Sequence, residues 1–401
     1  MANRLTSIEL FAGAAGLGLG AKQSGVDPVA VVEWNKDCRN TIALNRDSAN
    51  GALKAWPKKI GRDVRDEDFS EFEGSVDLVT GGPPCQPFSM GGKHQAQADN
   101  RDMFPEAVRA VRQTRPRAFI FENVRGLTRE SFQPYFEYIT LQMRHPQLTA
   151  RDGEDWAEHL ARLQSHHTGH SDNADDYRVV TQVLNAADYG VPQQRHRVFF
   201  VGFRADLGIS WHFPKATHSK QALLLDIASG AYEERHGLAK GQLALSSQIS
   251  KSVERMRERG LEPNSLTAWQ TVREALNDLP NPTQKAHSSI LNHKLQKGAR
   301  SYPGHTGSPL DLPAKALKAG VHGVPGGENM LRYANGKVRY FTVRESARLQ
   351  TFPDKFEISG TWSEAMRQLG NAVPVKLGAA VTSSVSTVLA CLLYTSPSPR
   401  D

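Results

Sequence analysis

The sequence predicts an α/β protein with a doubly wound, mostly parallel sheet and a smaller loop-rich segment inserted into it. Three observations carry this. Short apolar runs alternate with helix-like stretches through the first half of the chain, and a glycine-rich turn follows the first run. From about residue 206 to 338 the alternation fails, before strand and helix signals resume. Strands separated by helices pair in parallel within one sheet.

In order, strands are expected at Ser7–Phe11, Val29–Glu33, Val76–Thr80, Ala118–Phe121, Val179–Asn185 and Arg197–Phe203, with a helix at Met103–Gln113. Residues 144–176 break the pattern. Trp156 and Leu160 suit a short helix, and the polar stretch with His166, His167 and His170 reads as a solvated insertion. No cysteine or suitably spaced fourth ligand accompanies these histidines, so no metal is expected there. Prolines 303, 309, 313 and 325 and six glycines between Gly304 and Gly327 make the later segment loop-rich. A strand at Arg339–Phe341, a helix at Val343–Gln350 and a helix at Pro374–Ala390, with proline at its start, return the chain to the first domain. The domain plan is therefore 1–205 with 339–390, an inserted 206–338, and a tail. That tail, Cys391–Asp401, resembles one reading frame of a transposon adapter, which places the natural end near Ala390.

The 401 residues carry a net charge of +7, and the segment Lys215–Tyr340 alone carries +8. An excess of cations confined to one segment is the footprint of a polyphosphate partner. Three cysteines make no disulfide framework and fit a reducing cytoplasm. No run of 18 apolar residues and no signal-peptide core are evident, so no membrane partner is expected.

The chemistry concentrates at Gly81–Ser89, Gly-Gly-Pro-Pro-Cys-Gln-Pro-Phe-Ser. Prolines fix the backbone and glycines permit a sharp turn just past a strand, so Cys85 is presented at a cleft edge. Sulfur attacks as thiolate, so a nucleophilic Cys85 needs a lowered pKa or a nearby base. Upstream, Gly13, Gly16, Gly18 and Gly20 follow the first strand, and Glu33-Trp34 closes the second. Glycines at such a turn let backbone approach a nucleotide, an acidic residue can hold ribose, and tryptophan offers a flat face. The run from Gly16 to Ala21 also matches a dinucleotide fingerprint, so a nicotinamide enzyme stays a rival at this level; hydride transfer, however, has no use for the cysteine loop. Arg195 and Arg197, one residue apart at a strand start, are expected to point the same way.

Taken together, Phe11-Ala12-Gly13, Glu33-Trp34, Pro83-Pro84-Cys85-Gln86, Glu122-Asn123-Val124, Gln194-Arg195-His196-Arg197, the run Arg344–Pro353 and Gly370-Asn371-Ala372-Val373 form an ordered set. In that order they resemble the bacterial DNA (cytosine-5)-methyltransferases. Ala15, where that family usually has glycine, and Glu9, where aspartate is common, are departures. The resemblance implies a Rossmann-like doubly wound methyltransferase domain with an inserted target-recognition domain at 206–338. It implies S-adenosylmethionine as methyl donor, no metal, double-stranded DNA as partner, a cognate restriction endonuclease that need not touch it, and a monomer at the bacterial nucleoid. Cys85 is then the nucleophile at carbon 6 of a flipped cytosine, Glu122 the donor at ring nitrogen 3, Arg197 the ligand of the 2-oxo group, and Arg195 an aid to Cys85 or a phosphate. Phe11, Gly13, Gly16, Glu33, Trp34, Asp63, Val64, Pro84 and Asn371 would hold the methyl donor. Gln86, Ser89 and Lys93 would touch DNA, the latter two in or beside a mobile loop at 90–94, and Gly323–Gly327 would face DNA. Relatives that methylate tRNA carry Cys-Phe-Thr, which does not occur here. A non-enzymatic regulator on the same scaffold would not need Cys85, Glu122, Arg195, Arg197 and Asn371 together.

Overall fold

The computed structural model describes residues 4–49, 51–85, 102–169, 173–239, 242, 243, 245, 247–259, 265–283, 289–319 and 327–395. The strands are β1 Leu5–Leu10, β2 Val26–Val32, β3 Leu78–Gly81, β4 Ala118–Val124, β5 Tyr177–Asn185, β6 Gln193–Gln194 and β7 His196–Arg204, followed by the short β8 His218–Ser219, β9 Thr267–Ala268, β10 Ser308–Pro309, β11 Ala314–Lys315, β12 Met330–Arg332 and β13 Val338–Tyr340. The α-helices are α1 Gly16–Gln23, α2 Lys36–Asp47, α3 Phe104–Thr114, α4 Gln133–Arg144, α5 Trp156–Gly169, α6 Lys220–Ser229, α7 Ala231–Arg235, α8 Ser247–Arg259, α9 Val272–Leu276, α10 Val343–Leu349, α11 Trp362–Asn371 and α12 Val375–Thr395.

The main sheet runs β2-β1-β3-β4-β7-β5. The first four strands are parallel, and β7 lies antiparallel to both its neighbours. Alternation along β4 shows why both faces are covered. Phe119 and Phe121 join a core with Val108 of α3 and Ile139 of α4, whereas Ala118 and Ile120 join one with Leu17 of α1 and Leu377, Val381 and Val385 of α12. Strands buried on both faces read as near-continuous apolar runs, which is how these runs appear in the sequence.

The glycines of α1 serve packing. A Cβ at Gly16 would stand 2.2 Å from the Val373 carbonyl oxygen, and one at Gly20 would stand 2.5 Å from Ala379 N. Helix α1 therefore lies directly against the returning C-terminal segment, and a side chain at either position would force the two backbones apart. Just before it, Ala15 holds a left-handed conformation (φ 65°) while fully buried.

The segment Trp362–Leu392 is long and apolar enough to cross a membrane by composition. Interspersed serines and threonines hid this from a simple count of apolar runs. In the fold, Leu377, Val381, Val385 and Leu389 of α12 are buried against the sheet as in a core helix. The same helix continues through Thr395, so the first residues of the tail extend a regular element rather than a loose end.

Leu223, Ile227, Tyr232, Val253 and Trp269 share a core with Ala187, which follows β5. Another core joins Ala314, Leu317 and Leu331 to Phe341, Leu349 and Met366. Within the resumed segment, Thr342 and Glu345 form a capping box at the start of α10. The fully buried Arg344 donates to the carbonyls of Leu291, Pro353 and Phe356. The run Arg344–Pro353 thus carries a structural clamp.

Candidate active site

A cleft of about 980 Å³ opens at the carboxyl ends of β1 to β4. Among its lining residues are Phe11, Gly13, Gly16, Glu33, Trp34, Asp63, Val64, Pro84 and Asn371 together with Cys85, Glu122 and Arg197. Parallel strands end where an α/β sheet places its ligands, and the chain brings these distant motifs to that edge.

Cys85 sits just past β3, half-buried. The loop that carries it is held from two sides: the Asn123 amide donates to Pro83 O at 2.8 Å, and Met103 N donates to Pro84 O at 3.0 Å. Burial pushes the thiol up to about 12, partly opposed by its hydrogen bond with Tyr135. Tyr135 of α4 also donates its hydroxyl proton to Asp102 Oδ2 at 2.7 Å. The thiol is therefore protonated at neutral pH and hydrogen-bonded to a phenol that leads to a carboxylate. Sequence reasoning named neither Tyr135 nor Asp102. They lie in no motif, and α4 approaches Cys85 only through the packing of α3 and α4 on the sheet.

Glu122, near the end of β4 and paired across to Phe199 of β7, is almost fully buried. Burial raises its pKa, and the charges of Arg197 and Arg195 pull it back in part. Arg197 Nε stands 2.6 Å from Glu122 Oε1, yet that oxygen has no hydrogen bond of acceptable alignment among the described residues. The pair is thus in contact by distance but leaves an acceptor, or a hydroxyl when protonated, unspent inside the cleft.

Arg195 departs from expectation. It does not line the cleft; it is 1% exposed and donates to Leu317 O at 2.9 Å and Gly370 O at 2.6 Å. Reading Arg195 and Arg197 as neighbours on one strand face assumed an unbroken strand. The chain instead breaks between β6 and β7 at this residue, so Arg195 turns into the protein while Arg197 stays on the sheet.

At the other end of the cleft Glu33 accepts from Gly13 N and Asn35 N, each at 2.6 Å. Both oxygens are anchored, which fixes the carboxylate and leaves further lone pairs for a ligand hydroxyl. Trp34 is 68% exposed, with the Arg65 guanidinium 5.7 Å from its ring centre, and Arg65 also pairs with Asp63. Glu9 also lines the cleft. It is buried, hydrogen-bonded to the Thr80 hydroxyl and Gly18 N, and burial raises it to about 7. Three acidic side chains and an open indole face suit a cationic adenosine derivative. Gln86, Ser89 and Lys93 and the loop at 90–94 lie outside the described residues, as do 323–326.

A model of the family described as "C-5 cytosine-specific DNA methylase" matches residues 5–146 and 168–387. The Type II methyltransferase M.Eco47II of Escherichia coli is 30% identical over 394 residues, covering 96% of this chain and 80% of that protein. The Type II methyltransferase M.NgoMIV of Neisseria gonorrhoeae is 28% identical over 390 residues, covering 96% of this chain and 98% of that one. Among solved structures, the Dnmt2 methyltransferase of S. pombe aligns with a TM-score of 0.55 at 18% identity, covering 97% of this chain and 99% of that one, a likeness of fold.

Proposed function

The chain belongs to the C-5 cytosine-specific DNA methylases, and from that premise we propose that it acts through a transient covalent bond between Cys85 and a cytosine turned out of the duplex. The enzyme methylates carbon 5 of cytosine in DNA, with S-adenosylmethionine as methyl donor. The observation that carries the finer reading is the shared cleft: Cys85, Glu122 and Arg197 line the same space as Glu33, Trp34 and Asn371.

A stacked base hides carbon 6 from any protein sulfur, so the cytosine has to leave the helix at a cost of a few kcal/mol. Sγ of Cys85 then adds to carbon 6, and negative charge develops toward ring nitrogen 3. Glu122, whose pKa burial raises against the pull of Arg197 and Arg195, donates there, and its Oε1 lacks a well-aligned partner of its own. Arg197 steadies the 2-oxo group and the Glu122 side chain together. Carbon 5, now enamine-like, takes the methyl group; its proton then passes to water, the C5–H electrons form the C5–C6 double bond as Sγ leaves with the C6–S pair, and ring nitrogen 3 returns its proton to Glu122. When bound, S-adenosylmethionine supplies an electrophilic methyl; Glu33 would hold its ribose, Trp34 and Asp63 its adenine, and Phe11, Gly13 and Gly16 its amino-acid end. Toward S-adenosylmethionine this cleft offers carboxylate, indole and backbone groups.

The cationic excess of 206–338 supports sequence reading there, with salt-dependent affinity from phosphate contacts. The Type II relatives support a protective role beside a restriction endonuclease. The test is a duplex with 5-fluorocytosine at the target position, found first by bisulfite sequencing of plasmid from an expressing host. With methyl donor present, a denaturant-resistant adduct mapping to residue 85 is expected, absent from Cys85→Ser. Methylation of ordinary substrate by Cys85→Ser at wild-type rate would refute the assignment.

A further inference from the structure

The family match skips residues 147–167, and that skipped stretch contains most of α5. Helix α5 brings His166 and His167 back against the body of the domain. They meet His145, the residue that ends α4, and Asp176, which stands just before β5. His145 and Asp176 are each 5% exposed. The donor atoms of His145, His166 and Asp176 all lie within 4.8 Å of one another.

We propose that His145, His166 and Asp176 bind a divalent transition-metal cation of the zinc class, which fastens the inserted helix to the methyltransferase domain. The arrangement around these ligands supports this. Asp176 Oδ2 already accepts from Asn173 N at 2.9 Å, which aims Oδ1 at His145 Nδ1, 3.0 Å away. His145 Nε2 lies 3.0 Å from His167 Nδ1. A ligating imidazole is oriented by a partner at its other nitrogen, and His167 occupies that place. The His166 ring stands edge-on to His145, with centroids 4.9 Å apart and planes at 85°. Tetrahedral zinc, with bonds near 2.0–2.2 Å, holds its donors about 3.3–3.5 Å apart, so modest side-chain rotation closes the set. Two imidazoles and one carboxylate favour Zn²⁺, Co²⁺, Ni²⁺ or Cu²⁺ over the oxygen-seeking Ca²⁺ and Mg²⁺.

Among the charged neighbours, the Arg144 guanidinium lies 3.4 Å from the outer nitrogen of His167, Nε2, rather than against the nitrogen that faces His145. Asp175, beside Asp176, is paired with Arg115 and adds no competing carboxylate to the cluster. The sequence concealed the set because two of its three ligands flank the insertion from opposite ends. Only the fold of α5 onto α4 and β5 brings them together.

The test uses the full chain, stripped with a chelator and titrated with Co²⁺ and with Zn²⁺. One equivalent of Co²⁺ is expected to give visible d–d bands of a nitrogen- and oxygen-ligated ion without thiolate charge transfer. Zn²⁺ should displace it and raise the melting temperature. His166→Ala, at a half-exposed position, and Asp176→Asn should abolish saturable binding and the Zn²⁺-dependent rise while the circular dichroism stays unchanged. His167→Ala should weaken binding roughly 10-fold. Absence of saturable binding to the wild type, thiolate bands in its Co²⁺ spectrum, or unchanged affinity in folded His166→Ala would each overturn the proposal.

Discussion

Arg195→Met separates a buried clasp from a hand reaching into the active site. The substitution keeps most of the side-chain volume and removes two hydrogen bonds, to Leu317 O and Gly370 O. Each buried carbonyl left unpaired costs about 1–3 kcal/mol. Against this, methionine relieves the burial of a guanidinium whose pKa is already pulled well below its ordinary value, chiefly by desolvation. A net loss of about 3 kcal/mol follows. With an unfolding entropy of about 2.1 cal/mol/K per residue, roughly 390 folded residues give about 0.8 kcal/mol/K, so Tm should fall by about 4 °C. Gly370 precedes Asn371 in the cleft, so KM for S-adenosylmethionine should rise several-fold while kcat changes little. Arg195→Lys, with a single ammonium, should recover no more than one of the two bonds. Calorimetry and steady-state methylation on the same samples provide the check. An unchanged Tm with kcat down about 10²–10³-fold, the loss seen when a donor to the reacting group goes, would show that the Arg195 head meets substrate and refute the clasp.

Three further outcomes follow from the described geometry. Tyr135→Phe removes a hydroxyl that favours the Cys85 thiolate, so alkylation of Cys85 by iodoacetamide, mapped by peptide mass, should require higher pH than in the wild type; an unshifted profile would disconnect Tyr135 from the thiol. Glu9, raised from 4.5 to about 7, keeps its proton longer when folded, so its contribution to stability is full below pH 4.5 and is lost as pH rises toward 7. Glu9→Gln should therefore gain on the wild type by about 3 kcal/mol between pH 4.5 and 8 in paired denaturation curves, and a flat difference would contradict the burial. Ending the chain after Ala390 should change stability by less than ~0.5 kcal/mol, because Leu389 is the last buried side chain among the described residues. A fall of several degrees would mean that the final helical turns pack.

What could be read from the sequence follows from how local each cause is. The buried strands were legible because double-sided burial writes an apolar run, and the Cys85 turn because its glycines and prolines restrict the backbone on the spot. Strand ends were misjudged where a non-glycine residue turns left-handed, as Phe11 does at φ 52° just after β1. The glycines of α1 were read for their approach to a ligand; Gly16, which lines the cleft, also lies against Val373 O, and Gly20 against Ala379 of α12, contacts with the far end of the chain that leave no local trace. Arg195 was misplaced because period-two reasoning cannot see a strand break. Tyr135, Asp102 and the pairing of His145 with Asp176 depend on packing between α4 and its neighbours and leave no periodic trace.

Burial moves both reacting groups of the proposed mechanism in one direction, and the two need opposite outcomes. A raised pKa serves Glu122, which must donate a proton at ring nitrogen 3. The same cause disables Cys85, which must lose one and is held near 12. A base drawn from bulk water would be shut out once a cytosine fills the cleft and desolvates the sulfur further. The acceptor therefore has to be internal or arrive with the DNA. Tyr135 offers an internal route: its hydroxyl takes the thiol proton as it passes its own to Asp102, leaving Sγ negative beside the base. A nucleophile kept as a thiol until then is also a poor target for oxidants, since oxidation follows thiolate character. On this reading the resting enzyme is switched off at sulfur, and filling the cleft is the event that makes the proton transfer worthwhile.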